Sequence, residues 1–65
     1  MSTEHKPYVT TTYGMKGYFS VLLTWDEDIN GYTPWNSGCF GYETKEEAEV
    51  DAKSWAEAEG IEFKP

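Results

Sequence analysis

Sixty-five residues make one domain, and a chain of this length buries only about 60% of the surface its unfolded form exposes, which leaves room for one thin core layer. Twelve acidic residues stand against five basic ones, all lysines, so the net charge is −7; repulsion from phosphate backbones then argues against direct contact with DNA or RNA. A lone cysteine, Cys39, excludes an internal disulfide, and no signal-peptide pattern or apolar run of about 18 residues appears, so a cytoplasmic setting without membrane contact is expected.

Met1 to Pro7 is polar and without period, and is expected to be a disordered arm ahead of a single α+β domain over 8–65. Its His5 has no partner within sequence reach. Tyr8 to Tyr13, YVTTTY, has the aromatic and β-branched content of a short strand, placed at an edge or as an extended arm. Gly14 and Gly17 bracket a turn at Met15 and Lys16. Tyr18 to Trp25, YFSVLLTW, is the clearest strand: Phe19, Val21, Leu23 and Trp25 alternate with Tyr18, Ser20, Leu22 and Thr24. The first, more apolar set is expected to face the helix, and the second to face water or a partner.

Asp26 to Gly31, DEDING, is a polar break whose Asn-Gly dipeptide suits a hairpin turn. A strand around Tyr32 to Trp35 then runs back, and Pro34, with no N–H to donate, confines it to an edge or a bulge. Asn36-Ser37-Gly38 is a further turn, and Cys39 to Glu43 is expected to form a third short strand of this run. In Thr44 to Gly60 a complete helix is written. Thr44 and Glu47 form a capping box, Ala48, Ala52, Trp55 and Ala56 share one arc, acids spread over the other side, and Gly60 supplies the left-handed stop. Ile61-Glu62-Phe63 alternates and adds a last strand. The expected architecture is α+β: a small antiparallel sheet of three to four strands, packed on one face by a single C-terminal helix over about Lys45–Glu59.

Few residues here carry chemistry. Asp26, Asp28, Asn30 and Gly31 match positions one, three, five and six of an EF-hand loop, but Pro34 stands at position nine and Ser37 replaces the bidentate Glu at position twelve. Two oxygen ligands are thereby lost, and no metal or other cofactor is expected. One histidine in the arm, one cysteine read as a small buried hydrophobe, and no phosphate-binding loop point away from an enzyme. Glu46 and Glu47 lie in a first helical turn, where acids complement the helix dipole.

Surface chemistry remains. Val50 falls on the outer arc between Glu46 and Glu57, where an apolar side chain gains nothing in a monomer. Trp35, in an edge segment, either anchors an interface or closes the bottom of the core. The expectation is that Asp26, Glu27 and Asp28 in the loop and Glu46, Asp51 and Glu57 on the helix steer a basic protein partner, which Trp35 or Val50 anchors. Acidic composition can also serve solubility alone.

Two family resemblances attach to these segments. Asp26, Asp28 and Gly31, followed by Gly38-Cys39-Phe40 and Thr44-Lys45-Glu46-Glu47-Ala48, resemble the HicB-type antitoxin domain over about two thirds of the chain; that resemblance implies neutralisation of a small RNase. Phe19-Ser20-Val21 before an acidic turn, with an acid-rich helix from Thr44 through Trp55, is similar to the short RNA-polymerase inhibitors of T7-like phages. Arginines contribute to the polymerase contact in that family and none occurs here, so this resemblance implies only the mode of a compact inhibitor on a basic protein surface. The sequence reading is a non-enzymatic, acidic protein-binding module, with a phage or mobile-element inhibitor first, a HicB-like antitoxin second and an accessory structural subunit third.

Overall fold

Two hairpins build most of the sheet. In the computed structural model, which describes residues 5–38 and 40–65, β1 (Tyr8–Gly14) turns through Met15 and Lys16 into β2 (Gly17–Asp26), with Gly14 opposite Gly17. Expectations for Met1 to Glu4 and for Cys39 fall outside the described residues. The loop Glu27–Asn30 leads into β3 (Gly31–Ser37). This loop falls within the polar break expected from Asp26 to Gly31. Asp26 Oδ1 accepts from the Asp28 N–H at 2.9 Å, and Asn30 alone takes a left-handed φ of 54°, so an aspartate turn and one permissive asparagine close it.

Helix α1 (Lys45–Glu59) has the bounds its sequence marks. Thr44 Oγ1 accepts from the Glu47 N–H at 3.3 Å, but the Glu47 carboxylate receives the Thr44 hydroxyl at 3.0 Å, so its return arm ends on the side chain and not on the backbone N–H of the expected capping box. At the far end Gly60 adopts φ 71°, its N–H reaching Glu57 O, and the Ile61 N–H reaches Ala56 O at 2.9 Å. That pair of bonds is a Schellman stop, and it turns Ile61 back onto the core. The strand β4 (Glu62–Phe63) follows.

Among the described residues the strand order is β3-β2-β1-β4. β1 is therefore interior, not the expected edge, and β4 pairs with it in parallel, Val9 opposite Phe63, so the sheet is mixed and not wholly antiparallel. The expected strand over Cys39–Glu43 reduces, among the described residues, to one bridge: Tyr18 and Tyr42 exchange backbone bonds of 2.9 and 2.7 Å. Pro34 does lie in an edge strand. The register with β2 slips between Leu22 and Leu23, leaving Trp35 as the extra residue of a β-bulge.

The helix packs on the face opposite to the one expected. Val9 and Leu22 are cross-strand partners, and with Ala52 and Ala56 they form the buried cluster, against which Trp55, Ile61 and Phe63 pack. It is thus the Ser20–Leu22 set that lies under α1, while Phe19, Val21, Leu23 and Trp25 occupy the other face. Three facts account for this. The alanines at 48, 52 and 56 leave no relief on the helix, so the low side chains Val9, Ser20 and Leu22 allow a closer approach than Phe19 and Trp25 would. A serine hydroxyl under the helix meets an acceptor there. Finally, β3 and β4 run parallel, so β3–α1–β4 is a crossover whose hand follows sheet twist, and that hand selects the face.

The second face carries its own aromatic cluster. His5 stacks on Trp25 with centroids 3.5 Å apart, Trp25 and Tyr8 both meet Tyr32 edge-on, and the Tyr32 hydroxyl donates to Lys6 O at 3.0 Å. His5 therefore has a partner twenty residues away, and the described part of the arm lies against the sheet. Lys64 sits over the Tyr8 ring at 4.6 Å. No helix of the described residues is long and apolar enough to cross a membrane.

The close helix-to-sheet contact makes a sharp prediction. Ala52→Leu forces three extra heavy atoms against Val9 and Leu22 and is expected to cost about 1–3 kcal/mol in urea unfolding, whereas Val50→Leu on the exposed arc changes stability by under about 0.5 kcal/mol.

Candidate functional site

The helix covers β1, β2 and β4 but not β3, and the gap this leaves along one flank of α1 is where the surface chemistry gathers. Asp51 and Trp55, one turn apart, project from that flank. Ser20, fully buried, donates its hydroxyl to Asp51 Oδ2 at 3.0 Å. The bond draws the half-buried carboxylate in toward the sheet, away from the outer acid face on which the sequence would place it. Asp51 is thereby a floor group and not part of that exposed face.

The opposite bank comes from the segment after β3. The Gly38 N–H donates to Ser20 O at 2.8 Å, and Tyr42 is pinned to Tyr18. Between these anchor points Phe40 stands 72% exposed. Gly38 is required by proximity: a Cβ there would lie 2.6 Å from Ser20 Oγ and 3.4 Å from Asp51 Oδ2, so any side chain would break the hydrogen bond beneath it. A cleft of about 300 Å³ results, lined by Asp51, Trp55, Phe40, Asn36, Ser20 and Gly38 together with Ser37. A second open depression of about 450 Å³ beside Asp51 is lined by Tyr42, Glu47, Val50 and Ser54. Asp51 borders both.

The eight residues expected to meet a partner do not form one patch. Glu46, Val50 and Glu57 are exposed on α1, Val50 at 70%, and of the three Val50 lines the second depression beside Asp51. Trp35, at 76%, stands out from the bulge of the β3 edge and does not close the core. Glu27 and Asp28 are exposed in the loop beyond Asp26, whose carboxylate is held in the turn. Asp26 is six residues along β2 from Ser20, about 20 Å of strand, so the acidic loop and Asp51 are separate places. No group of three or more His, Cys, Asp or Glu side chains able to hold a metal gathers among the described residues.

Ser20, Asn36, Gly38, Phe40 and Trp55 complete the cleft and were not singled out as contact residues by sequence reasoning. A signal for Ser20 existed: a serine aligned with Leu22 on one face of the strongest strand needs a buried partner. Asp51, three residues after Ala48 and four before Trp55, was the acid placed to supply it. Comparison of the chain with protein-family models, with curated proteins and with solved structures finds no match.

The Ser20–Asp51 bond is measurable by itself. A double-mutant cycle of Ser20→Ala and Asp51→Ala, followed by chemical denaturation, is expected to give a coupling of about 1 kcal/mol, whereas additive costs show that the bond is absent in solution.

Proposed function

We propose that this chain is a non-enzymatic, acidic protein-binding module that covers a basic surface of another protein, in the manner of a phage or mobile-element inhibitor of a nucleic-acid enzyme or defence complex. One observation carries the reading. In a chain of net charge −7 with no arginine, Phe40 and Val50 stand 72% and 70% exposed on either side of a carboxylate that borders two depressions. Large apolar side chains beside like charge are costly to leave in water and are the usual centre of an interface, with charged residues around them. Glu46 and Glu57 attract and orient the partner before contact; Val50, Phe40 and Trp35 supply the apolar anchors.

Neutralisation of a small RNase, as in HicB-type antitoxins, is a narrower form of the same reading. The acidic turn at Asp26–Gly31, Gly38 and Phe40 at the cleft and the Thr44-capped helix are the parts of the structure on which that resemblance rests.

Affinity capture with identification of the retained protein tests the proposal. Wild-type bait at about 0.1 M salt is expected to retain a protein with a lysine- and arginine-rich surface and to release it as salt rises, because charge attraction is screened over about 10 Å at that ionic strength. A Glu46→Lys, Glu57→Lys bait is expected to retain at least about tenfold less, the loss that removing close charge complementarity produces. Equal retention by both baits, or retention indifferent to salt, would falsify the reading and leave the charge a solubility device of an accessory subunit.

A further inference from the structure

We propose that the cleft between Trp55 and Phe40 is a socket for one cationic side chain of the partner, a lysine or an arginine, with Asp51 as its counter-ion; this rests on the protein-binding reading above and specifies its central contact.

Asp51 is half-buried, and the one bond made to it among the described residues comes from a neutral hydroxyl, Ser20 Oγ at 3.0 Å. An ionised carboxylate accepts at about four lone-pair sites, and the Ser20 hydroxyl fills one of them. Water serves the others while the cleft is open. A partner that closes the cleft must replace that water with a cation, or it strands the charge. A neutral or acidic side chain is thus rejected by the same feature that accepts a basic one.

The walls favour the same guest. Phe40 and Trp55 both line the cleft, and an aromatic ring attracts a cation on its face while its apolar surface covers the methylene stem that carries the charge. At about 300 Å³ the space takes one lysine or arginine head with part of its stem. None of the residues lining it is a lysine. Two of the chain's own five lysines are engaged with rings elsewhere, Lys53 over Phe63 at 5.7 Å and Lys64 over Tyr8 at 4.6 Å. With no lysine in the lining, the cation that the cleft suits is one a partner brings, and a chain of net charge −7 draws it in. Ser20, fully buried, lies at the floor, and Gly38 above it leaves the serine just enough room to reach Asp51.

The test uses the full chain, isotope-labelled, and singly charged probes in place of the partner. N-acetyl-lysine methylamide and its arginine counterpart are titrated beside N-acetyl-norleucine methylamide, which keeps the stem and lacks the charge. Both cations are expected to produce saturable shifts at the Trp55 indole N–H and the Ser20 and Gly38 amides, and norleucine none. Asp51→Asn is expected to weaken binding about tenfold, the loss of one hydrogen bond to a charged acceptor. Phe40→Ala, at an exposed position where truncation leaves the fold intact, is expected to weaken it several-fold. Equal shifts with norleucine, shifts spread over every acidic residue without saturation at Trp55, or titrations unchanged in both variants would each overturn the socket. Salt-dependent capture that persists without these shifts removes the socket alone. Shifts that persist without such capture remove the partner reading and leave a cation site on the chain.

Discussion

The contact of Ala52 and Ala56 with Val9 and Leu22 sets how near the helix comes to the sheet, and most of the molecule follows from that distance. Because the alanines have no side chain to interdigitate, the helix settles close on β1 and β2, and only small or branched residues fit under it. A core this thin leaves the larger apolar groups at the rim. Trp55, Ile61 and Phe63 fill around the cluster, and the Schellman turn at Gly60 brings the last two back to it. The helix held so close over β1 and β2 stops short of β3, and the uncovered strip beside it becomes the cleft.

Fold and surface chemistry meet at the Ser20–Asp51 hydrogen bond. For the fold it satisfies a fully buried hydroxyl that would otherwise lie unpaired under the helix. On the surface it fixes a carboxylate at the boundary between two depressions, with aromatic rings on one side and Val50 on the other. One residue therefore serves both demands, and neither the cleft nor the core is independent of the other. Gly38 closes the arrangement from above, since its missing side chain is what lets the segment after β3 lie directly over the bond.

The second face of the sheet answers the problem of a fold with one helix and two faces. Phe19, Val21, Leu23 and Trp25 have no helix to pack on. Val21 is nevertheless nearly buried, and Trp25 is covered by the stacked His5 ring with Tyr32 at its edge. Aromatic contacts and the Lys64 ammonium over Tyr8 take the place of a second layer, as suits a chain too short to build one. At the exposed edge of β3, the proline and the bulge interrupt the ladder that would otherwise invite another strand.

Local signals were legible in the sequence wherever the physics is local. Thr44 and Gly60 bound the helix because caps act within one turn; Gly14 and Gly17 mark the first hairpin; Pro34 restricts its strand to an edge; and Val50 lies exposed, as an apolar residue among acids can, whereas the exposure of Trp35 was one of two open readings. Which face of β2 receives the helix was not legible from alternation, because the more apolar set is not the one that fits an alanine stripe, and the hand of the β3–α1–β4 crossover acts only once the sheet exists. The interior place of β1, the parallel pairing of a two-residue β4, and the meeting of Asp51 with Ser20 across thirty-one positions were likewise decided by tertiary structure. Sequence by itself determined the elements and their charge, through interactions spanning a few residues; only the folded chain brought together the groups that make a cleft, since those lie far apart along it and are joined by packing alone.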